Sequence, residues 1–231
     1  MNYFNDYAID TLAARVVAAY LKSPDVPRER VDPVALCKNV LKLTVKNVKL
    51  SPDCSILGIT SFGQAKANVI DDDGISAVVP LDGHTVLIEK ELLGNPCGEG
   101  CYNFTVAHEA AHHIFNMLEQ HKKGESNRLL IHRVSGSISV DFDEWQTERL
   151  AAAILMNRDM LLSAMRAAGI PDGIKTLDCR LRNESWLSFC ETAETLGVSL
   201  SALSLRMSAL GLIDSNHYRG GKKKESIIDV C

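Results

Sequence analysis

The sequence has no excess of positive charge. Its 231 residues carry 25 Lys and Arg against 29 Asp and Glu, a formal net charge of -4. No global positive field points to nucleic acid, and only a local basic patch stays open. Long apolar runs are missing too. The longest, Val16–Leu21 and Leu150–Met156, fall far short of the roughly 20 residues that span a bilayer. No membrane association is expected. Asn2, Asn5, Asp6 and Asp10 stand where a signal peptide needs basic residues, and no apolar core follows. The seven cysteines, at 37, 54, 97, 101, 179, 190 and 231, are odd in number and irregular in spacing. That excludes a secreted disulfide framework and fits a reducing cytoplasm. No internal repeat is visible. What is present is an ordinary globular composition, 46% hydrophobic and 23% charged. It suits one domain, or one compact domain with a small appendage.

The pattern of elements changes along the chain. Residues 7–21 read as an amphipathic helix that Pro24 and Pro27 end. Asp32-Pro33 reads as an N-cap with proline at the first helical position, opening a short helix to about Val40. From Leu43 to Glu89, the runs LTVKNV, SILGITSF, ISAVV and TVLIE are β-rich and separated by turn residues, which predicts a small antiparallel sheet. Helices are expected at 103–120, 143–155, 158–168, 184–196 and 200–211. Gly124–Ser139 reads as a polar connection with some β character, and Gly169–Asn183 as a linker. Strands in one block and helices in another indicate an α+β class. The expected organisation is a catalytic-type domain over 1–168, a helical appendage over 184–213 and a flexible basic tail over 215–231.

The chemistry concentrates in His108-Glu109-Ala110-Ala111-His112, an H-E-x-x-H run. On a helix the two histidines share a face one turn apart and can pinch one zinc ion. Glu109 points about a quarter-turn away, within reach of water at the metal without taking a coordination position. Zinc lowers the pKa of water it binds to about 7, and a carboxylate there can take the proton and pass one to a leaving amine. Chance supplies such a run on the order of once per hundred chains of this size, so context matters. Phe104, His108, Ala111, Phe115 and Leu118 fall on one helical stripe, which turns His108 inward. A pair of ordinary core histidines is the competing reading.

A catalytic zinc site needs a third protein ligand. The segment VDFDEWQTERLAAAILM offers one. Glu144, Glu148, Ala151 and Leu155 form a stripe on which two carboxylates continue an apolar face. Carboxylates on such a face need partners, and a metal with its histidines would supply them. Glu144 is the candidate ligand. Glu148, one turn on, either holds a ligating imidazole by its other nitrogen or takes the ligand position itself. Solvated glutamates paired with Arg149 or Arg158 are the plainer alternative. Asp141 and Asp143 read as capping residues.

The stretch YNFTVAHEAAH followed by EWQTERLAAAILM resembles the ImmA/IrrE family of bacterial metallopeptidases. Members typically carry an FT-x-x-HE-x-x-H helix. A second helix follows, with Glu, a small polar residue four later, and a small-residue run ending in Leu-Met. SILGITSF and HTVLIEKELL resemble the family's β-region, so the similarity covers roughly residues 5–165. The resemblance implies a zincin-like domain in which His108, His112 and Glu144 bind zinc and Glu109 is the base. It also implies a protein substrate, a helix-turn-helix repressor whose cleavage switches on mobile-element or stress genes. Two positions depart from the pattern. Glu148 stands where the family usually has Asn or Asp, and Asn157 stands where proline commonly follows the Leu-Met pair. Asn157 can still cap the next helix.

Other features compete for a role. Tyr102, His113 and His132 could donate to an oxyanion, with His132 favoured because its segment could overhang the site. Cys97 and Cys101 form a C-x3-C pair for which no further ligands are evident. ETAETLGVSLSALSLRMSALGLI reads as helix–turn–helix about Gly197, yet Glu184, Glu191, Glu194 and Asp214 face only Arg206. Direct DNA binding, which relies on basic contacts to phosphates, is therefore not expected. The alternative function is a non-catalytic regulatory protein with structural zinc that binds a partner or DNA through this unit. A structural zinc has no use for a glutamate at position 109, which favours the enzyme.

Overall fold

The structure, a computed structural model, describes residues 4–94, 98–123, 128–133, 142–175 and 183–213. Cys97, Asp141, Cys179, Asp214, Cys231 and the basic tail from 215 onward lie outside the described residues. The class is mixed α+β. Among the described residues no helix is long and apolar enough to cross a membrane.

Helix α1 (Asp6–Tyr20) starts where the Asn5 side chain accepts from the Ala8 amide, and buries Ile9, Ala13, Val17 and Tyr20. The 4,4,3 spacing of those residues is one helical face. Asp32 caps α2 (Pro33–Leu36), accepting from Val34 and Ala35 amides. The helix runs on as a π turn over Cys37–Leu41 and ends at Lys42, whose φ of 59° breaks the helix. The strands then follow: β1 (Thr44–Val48), β2 (Ile56–Ser61), β3 (Gln64–Ile70), β4 (Ser76–Asp82) and β5 (Thr85–Glu89).

The expected small antiparallel sheet is corrected in two respects. The main sheet has four strands in the order β1-β5-β2-β6, where β6 is Leu129–Arg133, and β1 pairs with β5 in parallel. A parallel neighbour needs a long crossover, and β2 to β4 supply it. β3 and β4 form a separate antiparallel ribbon. The sequence of β3, QAKANVI, has too little β propensity to stand out, and becomes a strand by pairing with β4 while burying Ala67 and Val69. β6 was hidden in a polar connection and is an edge strand against β2.

β5 sets the layering. All five of its residues are buried. Val86 and Ile88 join the large core with the helices, while Leu87 joins a small core with Ile59, Ala67, Val69 and Leu81. The sheet is thus covered by helices on one face and by the β3–β4 ribbon on the other. A strand buried on both faces reads as a continuous apolar run, as TVLIE does.

The long helix α3 (Gly98–Lys123) lies on the helical face of the sheet and packs against α4 (Phe142–Leu155). α5 (Arg158–Ala167) is capped by Asn157, which accepts from the Asp159 amide, so asparagine does the work left by the missing proline. α6 (Glu184–Leu196) ends at Gly197, φ 65°, and α7 (Leu200–Ala209) begins at its Ser199 cap. Phe189, Ala193, Leu196, Leu203 and Met207 of this pair belong to the same buried cluster as α1, α3 and α4. The turn sits on the start of α3. Asn103 donates from Nδ2 to the Gly197 carbonyl at 2.9 Å. A Cβ on Gly100 would lie 2.5 Å from the Ser199 nitrogen and 2.7 Å from the Val198 carbonyl carbon, both backbone atoms.

Gly100→Ala therefore overpacks a backbone-to-backbone contact. It is expected to cost about 1–3 kcal/mol, read in urea unfolding as a lower midpoint with an unchanged slope.

Candidate metal centre

α3 carries the histidines because small and apolar residues surround them. Val106, Ala107, Ala110 and Ala111 are fully buried, which lets this stretch of helix lie close to the sheet and to α4. His108 and Glu109 are fully buried and His112 nearly so. The buried stripe ends with Phe115. Leu118, expected on it, is 39% exposed because α3 has run past the edge of the core.

The Nε2 atoms of His108 and His112 are 3.1 Å apart. Glu144, from the first turn of α4, brings Oε2 to 3.1 Å from His108 Nε2 and Oε1 to 3.4 Å from His112 Nε2. One nitrogen or oxygen from each of the three residues falls within 4.8 Å of the others, a spacing that could hold one metal ion. The Glu144 side chain is 41% exposed, so the cluster meets solvent on the α4 side.

Protonation favours ligation. Burial pushes the His108 imidazole down to about 4, and the charge of His132 pushes in the same direction. Hydrogen bonds from His108 and then His112 hold the Glu144 carboxyl well below the usual carboxylate range, against a smaller opposing effect of burial. At neutral pH the set is a neutral imidazole beside an ionised carboxylate, as metal binding requires.

A threonine completes the support of His112. Thr147 Oγ1 donates to the Asp143 carbonyl at 2.8 Å and lies 3.5 Å from His112 Nδ1. With its proton spent on Asp143, the hydroxyl faces the ring as an acceptor. With an ion in the cluster, that contact would suit a proton on Nδ1 and free Nε2 for ligation. Thr147 thus stands in the place expected of Glu148. Glu148 itself is exposed, and it belongs to neither cluster of metal-capable groups among the described residues. Of the stripe read on α4, Ala151 and Leu155 are fully buried while its two glutamates sit at the solvent end. Gln146 and Thr147 of the same helix are already fully buried, so only the face that bears Glu148 meets solvent there.

Glu109 faces the sheet instead of the cluster's open side. His132, on β6, stacks on His108 with ring centroids 4.0 Å apart and holds Nδ1 3.6 Å from Glu109 Oε1. That is an ion-pair separation, too long for a hydrogen bond. Burial alone would raise the Glu109 carboxyl, but His132, followed by the charges of His112 and His108, outweighs it and the net direction is down. Burial would lower His132, and its Glu109 partner reverses that. His108, Glu109 and His132 form a second set with metal-capable spacing. It shares His108 with the first, so Glu109 and His132 flank any ion held by the two histidines and Glu144.

The other expected donors are engaged elsewhere. Tyr102 donates its hydroxyl to Asn47 Oδ1 on β1 at 3.0 Å. His113 Nε2 is 2.5 Å from Thr60 Oγ1, and its ring meets Phe62 edge-on. Burial first, and then neighbouring histidine charge, lowers His113 to about 4 despite Glu109. It is a core residue. No cysteine belongs to either metal-capable cluster among the described residues. Arg206 of α7 is buried, with its guanidinium 2.6 Å from Asp10 Oδ1 and 3.4 Å from the Met156 carbonyl.

Thr147 and Gly58, whose open space beside Glu109 is taken up below, were not legible from pattern. Thr147 carries a weak signal, one helical turn after Glu144 on the same face.

Added zinc is expected to raise the melting temperature of the wild-type chain. Glu144→Ala should abolish that shift, and Thr147→Val should weaken zinc about tenfold, both measured by competition with a chromogenic chelator. The chain matches no family model, and no curated protein is detectably similar to it in sequence.

Proposed function

We propose that the chain is a cytoplasmic zinc-dependent endopeptidase with a zincin-like catalytic domain. The observation that carries the reading is a division of labour on α3. Two histidines meet a carboxylate of α4, while the glutamate between them stands apart, fully buried and without a hydrogen-bond partner among the described residues. A structural site needs only the first group. A hydrolase needs both.

The donor set, two imidazoles and one carboxylate, is that of a catalytic zinc site with room for one more ligand. Among the described residues His108 Nδ1 is buried without a hydrogen-bond partner, and Nε2 is the ring nitrogen that faces Glu144 and His112. Zinc held by His108, His112 and Glu144 supplies Lewis acidity toward water and the peptide carbonyl. The rest is work for the chain's own residues. Glu109, ionised at neutral pH, accepts a proton from the water that attacks the carbonyl carbon. It returns that proton to the departing amine as the carbon–nitrogen bond breaks. His132, whose imidazole the Glu109 carboxylate raises above its ordinary value, sits beside that carboxylate while it is charged. Burial excludes bulk water from the pair and strengthens their attraction.

The substrate is read from the resemblance to the ImmA/IrrE family: a helix-turn-helix transcriptional repressor. The occupied Arg206 supports a protein substrate over DNA, because it is the only basic residue in 184–213 and Asp10 already neutralises it.

Co-expression with candidate helix-turn-helix repressors tests the reading. The wild-type chain should deplete its repressor and yield two fragments. Glu109→Gln should slow cleavage by roughly 10²–10⁴-fold while retaining one zinc per chain by metal analysis. A wild-type chain that takes up no zinc, or an undiminished Glu109→Gln, would overturn it.

A further inference from the structure

Glycine weakens a strand interior and often marks a place where another group approaches closely. Gly58 is such a residue, in the middle of β2 between Ile88 of β5 and His132 of β6. Its backbone does not require glycine, since its φ is not among the positive values. The space above it does. A Cβ at position 58 would collide with Glu109 Oε1 and lie 2.9 Å from Glu109 Cδ and 3.0 Å from Cγ.

The register of β2 is arranged to bring this glycine there. Thr60, Ile59 and Gly58 pair in sequence with Leu130, Ile131 and His132, but the next pair is Ile56 with Arg133. Leu57 is therefore an extra residue, a β-bulge. Carrying the Ile56–Arg133 register onward without the shift would set Leu57 opposite His132. A one-residue slip turns every later side chain to the other face, so the bulge decides that Gly58 and His132 share the α3 side. Bulges elsewhere serve to re-aim side chains beside active sites.

We propose that Gly58, presented by this bulge, is the positioning residue for Glu109, resting on the reading of Glu109 as the base. Its missing side chain is the seat of the carboxylate. The need for a seat follows from the neighbours. His108, Glu109 and His132 offer ligand atoms within 4.8 Å of one another, so an unrestrained Glu109 can swing into coordination and stop acting as a base. Gly58 leaves room on the sheet side, and His132 draws the carboxylate to that side.

A double-mutant cycle tests the seat without any substrate. Gly58→Ala should lower the urea midpoint in the otherwise wild-type chain. In the Glu109→Ala chain the obstructing carboxylate is gone, and the same substitution should lower it no further. Equal losses in both backgrounds would overturn the proposal. If Gly58→Ala alone does not fold, recovery of folding by added Glu109→Ala supports it, and no recovery overturns it. A second readout is the visible spectrum of the cobalt-loaded chain. Gly58→Ala should bind one cobalt with a spectrum shifted from wild type, and a wild-type spectrum would count against displacement of Glu109. In repressor cleavage, kcat should fall towards that of Glu109→Gln with KM little changed. If Glu109→Gln itself cleaves normally, the peptidase reading fails while the stability cycle still decides the seat.

Discussion

Glu109 lies fully buried between α3 and the sheet, and neither carboxylate oxygen has a hydrogen-bond partner among the described residues. Placing an ionised carboxylate there costs several kcal/mol even after the protein relaxes. A fold tolerates that cost only when nearby charge offsets it. His132 is the nearest such partner, on β6 with Nδ1 3.6 Å from Glu109 Oε1. The offset works at short range, so α3, β6 and β2 must stay in register with one another. Much of the architecture serves that requirement. The alanines of α3 bring the helix close, the bulge in β2 sets the facing residue, and α4 closes the remaining side with Glu144.

The layers around this point explain why it is rigid. β5 is buried on both faces, so the sheet beneath α3 is anchored from the opposite side by the β3–β4 ribbon. The groups of the site come from the middles of helices and a sheet strand, where neighbouring packing fixes each rotamer. Only Glu144 stands near a helix start and in contact with solvent. It is also the candidate ligand with the least packing around it, and its ionisation depends on the two histidines it faces. Ligand set and protonation state are thus one property of the cluster.

Much of this was legible in the sequence, and the reasons differ by residue. His108, Glu109 and His112 were legible because a helix turns a four-residue spacing into proximity, which needs no tertiary knowledge. Glu144 followed from a second helical stripe, since a carboxylate beside an apolar face invites a partner. Glu148 was the alternative on the same stripe, and it lies exposed and outside both metal-capable clusters among the described residues. Thr147 and Gly58 act through contacts between elements far apart in the chain, which no local pattern encodes. The same limit hid the parallel pairing of β1 with β5. Strand propensity shows that a segment is extended, whereas order and direction come from how the sheet is covered.

The helix–turn–helix pattern at α6 and α7 shows how a local motif can be right about form and leave its use open. The two helices and the glycine turn are present as the sequence implied. A DNA reader of this form must turn its basic residues outward toward phosphates. Here the one basic residue of the unit, Arg206, points inward to Asp10 on α1 and the end of α4. The turn, which would have to be accessible for docking on a backbone, is seated on Gly100 and Asn103 at the head of α3. Burying an arginine is tolerable only with its partner in place. Exposing it to DNA would mean breaking the Asp10 pair and lifting the turn off the helix that carries the histidines. The pattern is better explained as the clamp that fixes the start of α3, which makes the C-terminal helices part of the support for the candidate metal centre.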